Sequence, residues 1–188
     1  MPKRTQIICI HEGKKGRSID PVFANAFLKA YDPEWLRPFA TGKAYFKPCG
    51  GKSKLLQRFP QELKNCIAAG SDTTLIVLAD LDEKLKSGDE LKEKYREKAR
   101  ESGITGEMFE KAVFICPKDQ IENWIEYLDT GSTDENAEGR RVKNFSDVKN
   151  KAKLLAEKCR RSHLPKEPFP PSLEWSCNNW RALTARMR

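Results

Sequence analysis

A chain of 188 residues with 38% hydrophobic residues is long enough to bury one αβ core, and a division into two independent domains would be less usual. The formal net charge of +8 is unevenly laid out: residues 1–70 hold 13 Lys/Arg against 5 Asp/Glu, residues 71–139 hold 9 against 18, and residues 140–188 hold 13 against 4. Two basic segments flanking an acidic middle suit a polyanion-binding protein with a metal centre, a solvated charge-mixed surface being the plainer alternative. No apolar run approaches a membrane span, and no signal-peptide pattern opens the chain, so a cytoplasmic protein with no membrane partner is expected. The six cysteines include no C-x-x-C pair, which argues against zinc and a disulfide framework and for reduced, buried thiols.

Residues 5–11 are short and continuously apolar, the pattern of a fully buried strand, and Asp20-Pro21 then opens an amphipathic helix with Phe23, Phe27, Leu28 and Tyr31 on one face. A short strand is predicted over 43–47. Gly50-Gly51-Lys52-Ser53 leads into a helix bearing Leu55, Leu56, Phe59, Leu63 and Ile67, with a kink or break expected at Pro60. Residues 73–79 form the second strong strand, and the charged helix at about 87–102 shows only Leu91, Tyr95 and Ala99 as a narrow stripe, as a surface helix would. Residues 112–116 give the last clear strand, followed by a short helix with Ile121, Trp124, Ile125 and Leu128. Residues 129–143 lack apolar periodicity and read as a mobile polar loop. A helix at about 146–161, an extended connector from Pro165 to Pro171 and a terminal helix over 176–188 with Trp180 and Leu183 complete the chain. Strands alternating with helices mean a parallel sheet with crossovers.

In an open parallel sheet, ligands bind where strands end. Glu12 closes the first strand, and Asp80 and Asp82 close the strand Leu75-Ile76-Val77-Leu78-Ala79. Alternation points Asp80 and Asp82 the same way, and two like charges side by side repel unless a cation or Arg neutralises them, so the pair points to a hard-oxygen Mg²⁺ site. Taken singly, an acid after a strand is more often a turn or helix-cap residue, and the convergence of several carries the argument. Two Gly-rich turns, Gly13-Lys14-Lys15-Gly16-Arg17-Ser18 and Gly51-Lys52-Ser53, lack full Walker A spacing, yet their backbone N–H groups and the charges of Lys14, Lys15, Arg17, Lys52 and Lys54 suit phosphates. The basic C-terminal part, with Lys149 and Lys153 among its charges, suits phosphates too, whereas Trp175 and Trp180 are more safely read as packing residues. His11 is expected to pack or to bond backbone rather than to catalyse.

A strand ending in Glu12-Gly13, a strand ending in Asp80-Leu81-Asp82 and α/β alternation between them resemble the Toprim domain of topoisomerases, bacterial primases, OLD-type nucleases and small bacterial Toprim nucleases. Gln120-Ile121-Glu122-Asn123-Trp124 is similar to an Ile-Glu-x-Trp motif of small Toprim-like bacterial proteins. The resemblance covers roughly residues 5–128 and departs from the family at Lys84, where many members carry a third acid. It implies a Toprim-like Rossmannoid α/β fold, with a mostly parallel sheet of about four strands flanked by helices and a basic helical C-terminal extension. The corresponding organisation is a catalytic domain over 1–128, the loop 129–143, and the extension 144–188 packed on the same domain. It further implies a Mg²⁺-dependent nuclease, with Mn²⁺ as a substitute metal, acting on DNA or RNA. Glu12, Asp80 and Asp82 would be the catalytic and metal-binding residues, and Glu122 would be either an added ligand or a solvated carboxylate. An ATPase partner and a role in bacterial defence against phage or mobile elements accompany such proteins. The alternative is a non-catalytic nucleic-acid-binding or complex-forming subunit with a degenerate site.

Overall fold

The computed structural model describes residues 5–14, 18–31, 36–37, 46–70, 73–82, 84–140, 142, 144–160 and 169–186. Strand β1 (Thr5–His11) is the axis of an all-parallel sheet. On one side it pairs with two short strands in succession, β2 (Leu36–Arg37) against Thr5 and Gln6, and β3 (Phe46–Pro48) against Cys9 to His11. On the other side it pairs with β4 (Thr73–Leu78), Gln6 opposite Thr73 and His11 opposite Leu78, and β5 (Ala112–Ile115) pairs in turn with β4. The sheet is therefore four strand positions wide, with β2 and β3 sharing an edge. Parallel strands need crossovers, and these cover both faces with helices in a Rossmann-like α/β fold.

Side-chain alternation divides the strand residues between two cores. Ile7, Cys9, Ile76, Leu78 and Val113 meet α1 (Asp20–Tyr31), α5 (Ile121–Thr130), α6 (Phe145–Arg160) and α7 (Pro171–Arg186) on one face. Ile10, Leu75, Val77, Ala112 and Phe114 meet α2 (Lys52–Ala68), α3 (Gly88–Glu101) and α4 (Gly106–Phe109) on the other. Every residue of β4 is buried, which is why this stretch reads as an unbroken apolar run. On the first face the Trp180 ring meets Phe27 and Tyr31 edge-on, and on the second Phe59 does the same with Tyr95 and Phe109.

The loop after β1 leads to α1 on the first face, whereas the loop after its neighbour β4 leads to α3 on the second. The two loops depart in opposite directions and leave a crevice between them at the carboxyl ends of the strands, where open α/β sheets bind their ligands.

Several expectations are corrected. Helix α2 is not broken at Pro60: it runs from Lys52 to Ala68, because Pro60 is itself buried and the stripe Leu55, Phe59, Leu63 and Cys66 holds both halves against the sheet. The last helix starts at Pro171, not Ser176, since proline is tolerated at a first helical position, and the side chain of Leu183 lies outside the described residues. Tyr95 makes α3 more than a surface helix, being buried among the rings of Phe59 and Phe114. The polar stretch after α5 carries a buried carboxylate, Glu135. It accepts the Ser172 backbone N–H at 3.3 Å and the Ser172 hydroxyl proton, while that hydroxyl oxygen accepts Trp124 Nε1 at 2.8 Å. Glu135 thereby caps α7. Cys159 and Cys177 form a disulfide between α6 and α7, contrary to the expectation of reduced thiols throughout, with Cα atoms 6.0 Å apart; Cys9, Cys49, Cys66 and Cys116 are free and buried. Helix packing brings the two together across a spacing that carries no motif. Among the described residues no helix is long and apolar enough to cross a membrane.

Candidate acidic site at the carboxyl edge of the sheet

The turn after β1 is fixed by three backbone hydrogen bonds from the chain entering α2: Cys49 N–H to the His11 carbonyl at 2.8 Å, Gly51 N–H to the Glu12 carbonyl at 2.8 Å, and Gly50 N–H to the Gly13 carbonyl at 3.2 Å. The two Gly-rich turns singled out in the sequence are thus clamped together. Gly50 and Gly51 adopt φ values of 77° and 128°, open to glycine and strained for other residues. Gly13 serves a close approach instead, since a Cβ there would lie 2.5 Å from Ser18 Cβ.

Strand β4 stays extended beyond Leu78. Ala79 N–H bonds the Ile115 carbonyl, Leu81 N–H bonds the Pro117 carbonyl at 2.8 Å, and the Leu81 carbonyl accepts Asp119 N–H. Alternation from Ile76 and Leu78 then assigns Asp80 to the face of α1 and α5, and the Asp80 N–H donates to Glu12 Oε1 at 2.9 Å. Asp82 starts a turn, its Oδ1 accepting Lys84 N–H at 3.1 Å and its carbonyl accepting Leu85 N–H.

Burial pushes the Asp80 carboxyl up from its ordinary 3.8 to about 8, helped by the charges of Asp20, Glu12 and Glu122 and opposed by Lys52. Burial likewise pushes Glu12 up to about 7, against the pull of Lys52 and of the Asp80 N–H and with the push of Asp20 and Asp82. Glu122, on the first turn of α5, is raised by burial, with Asp20, Asp119 and Glu138 adding to it. Among the described residues none of Glu12, Asp20, Asp80, Asp82 or Glu122 is in an ion pair. Partly buried carboxylates with no ion-pair partner among the described residues are unusual, because desolvation otherwise goes uncompensated.

The structure brings Glu12 and Asp80 into contact through a backbone bond, while the charge of Asp82 acts on Glu12 and that of Glu122 acts on Asp80. The leading like charges on Asp80 are Asp20 and Glu12, ahead of its sequence neighbour Asp82. Lys52 faces the two carboxyls electrostatically, Lys54 is exposed on the first turn of α2, and Lys14 lines an adjoining cleft. Lys15 and Arg17 lie outside the described residues. His11 is buried, burial favours its neutral form, and Nδ1 has no partner among the described residues.

Sequence reasoning missed Asp20, reading it only as the opener of α1. Its Oδ2 accepts the Ser18 hydroxyl proton at 2.7 Å, and its charge acts on Glu12, Asp80, Glu122 and His11 alike. The one signal in the sequence was Ser-x-Asp between a strand end and a helix start.

The donor set is all carboxylate oxygen, which fits Mg²⁺ or Mn²⁺ and not a thiolate-seeking ion. Among the described residues no three His, Cys, Asp or Glu side chains are grouped closely enough to hold a metal ion together. An open site based on Glu12 and Asp80 still matches Mg²⁺, which commonly keeps several waters and is held by one or two carboxylates plus substrate phosphates. Comparison with protein-family models, with curated proteins and with solved structures found no match.

Proposed function

We propose that the protein is a Mg²⁺-dependent nuclease that hydrolyses phosphodiester bonds in DNA or RNA. The observation that carries this reading is the Glu12–Asp80 pair: two carboxyls with raised pKa and no ion-pair partner among the described residues, at the crevice between oppositely departing loops. Asp80 and Glu12 would hold the metal, with Asp82 and Glu122 reaching it or its waters from either side. A bound Mg²⁺ would supply Lewis-acid polarisation of the phosphodiester and a lowered pKa for an attacking water. Glu12, pushed to about 7, is balanced between its protonated and ionised forms near neutrality and so suits proton transfer at a leaving or attacking oxygen. Lys52, at the start of α2, places a positive charge where the phosphate would sit, and α2 has no acidic residue in its first turn to offset its N-terminal field.

An ATPase partner, a cytoplasmic location and a role in bacterial defence rest on the Toprim resemblance. Lys84, in place of a third acid and with its backbone N–H engaged by Asp82, favours a second reading, a nucleic-acid-binding subunit without catalysis. The two readings separate in one assay. Wild-type protein incubated with end-labelled single- and double-stranded DNA and RNA should cleave at least one with Mg²⁺ or Mn²⁺ and none with EDTA, and Asp80→Asn should abolish cleavage while retaining binding. Binding without cleavage on every form, with any partner ATPase supplied, would establish the second reading.

A further inference from the structure

Beside the acidic pair, a cleft of about 1440 Å³ runs between α1, β3, α2 and α6. Among the described residues its rim carries Lys14, Lys29, Lys47, Arg58, Lys149 and Lys153 against a single acid, Glu62. Lys47 is paired with Glu62 at 2.7 Å, whereas Lys14, Lys29, Lys149 and Lys153 make no ion pair among the described residues. Between these charges the wall is apolar, formed by Val22, Ala26 and Ala30 of α1 with Phe46 and Pro48 of β3. At one end the lining residues are His11 and Lys14, which flank Glu12 and Gly13 in the chain.

The cleft exceeds the roughly 300–1,000 Å³ typical of small-molecule sites. Lysines without an ion pair among the described residues, spread over α1, α6 and the loop after β1, match a chain of phosphates better than one anionic group. A duplex would offer phosphates to the rim but hide its bases from the apolar wall; an unpaired strand offers both, which is how single-strand channels bind. We infer that this cleft is the path by which a single nucleic-acid strand reaches the Glu12–Asp80 pair, with α6 contributing Lys149 and Lys153 from the C-terminal part of the chain. The inference rests on reading the acidic pair as a phosphodiester site. It adds the strandedness of the substrate and a set of contacts that Lys52 and Lys54 do not reveal.

The test is fluorescence anisotropy of the full chain with labelled oligothymidylate and oligouridylate in EDTA, so that binding is read without cleavage. K149E/K153E reverses two exposed charges on α6, and K94E/R100E makes the same charge change on α3, across the sheet. The cleft variant should bind roughly tenfold or more weakly, with its log–log salt dependence shallower by about 1.4, at ~0.7 per lost single-strand phosphate contact, while the control binds as wild type. A duplex of the same length should compete roughly tenfold less well than the single strand. Binding by only one of the two oligonucleotides would still support the path and assign the sugar. Unchanged affinity in K149E/K153E, an equal loss in the control, or a duplex competing as well as the single strand would overturn it. Cleavage is scored separately: cleft-dependent binding without metal-dependent cleavage refutes the nuclease reading and keeps the path, and cleavage with unaltered binding by K149E/K153E does the reverse.

Discussion

Replacing Asp80 by Asn should stabilise the metal-free protein, and by an amount that depends on pH. Asp80 is pushed from 3.8 to about 8 mainly by burial, and its carboxyl makes no hydrogen bond among the described residues that Asn would lose. Between these two values the folded protein binds a proton that the unfolded chain does not, so wild-type stability falls as pH rises through that window and is unpenalised below it. At about 1.36 kcal/mol per pH unit the penalty at neutral pH is ~4 kcal/mol; halving it for water at the open edge of the site leaves ~2 kcal/mol. For a chain of this size that corresponds to a Tm gain of about 4–8 °C. The gain should shrink to about 1 kcal/mol near pH 5 and be largest above about pH 8. Differential scanning fluorimetry of both proteins in EDTA across this range checks it. A variant less stable than wild type at high pH, or a gain that does not vary with pH, would refute the argument that Asp80 is an uncompensated buried acid.

Asp20→Asn removes a charge that raises both Asp80 and Glu12, so each should titrate lower, and the pH of half-maximal metal-dependent activity should move down with them. Gly13→Ala forces a Cβ against Ser18 and should cost about 1–3 kcal/mol by overpacking, read as a lower urea midpoint with unchanged slope. Ser172→Ala removes a hydroxyl that donates to the buried Glu135 carboxylate and accepts the Trp124 indole N–H and the Lys118 backbone N–H, while Glu135 keeps the Ser172 backbone N–H; a loss on the order of 2 kcal/mol is expected, and a neutral result would refute the structural role of that hydroxyl.

What the sequence made legible follows from how local each signal is. The stretch Ile7 to Ile10 of β1 and the whole of β4 pack into cores on both faces, so their apolar runs are unbroken and their ends, with Glu12 and Asp80, could be read directly. Pro60 is a local signal for a kink or a break in α2, while what keeps the helix continuous, the packing of Leu55 and Phe59 against the sheet, is tertiary. Strand β2, of two residues, and α4, of four, are too short to show a period. Asp20 enters the site because α1 packs in the same core as Leu78 at the end of β4, and Glu135 meets Ser172, 37 residues away, only through the fold. The cleft needed the packing of α6 on α1, which brings Lys149 and Lys29 to one cleft across more than half of the chain. In each case the missing information was which faces meet.

The claim on which the functional account turns is that the Glu12–Asp80 pair takes a divalent cation, and titration calorimetry tests it most directly. Mg²⁺ and Mn²⁺ should bind wild-type protein saturably near pH 7 and release protons, because carboxyls pushed up to about 7 and 8 must lose theirs to bind a cation, so the observed enthalpy should vary with the ionisation enthalpy of the buffer. Asp80→Asn should abolish the binding at unchanged fold. No saturable binding by the wild type, or equal binding by Asp80→Asn, would contradict the account.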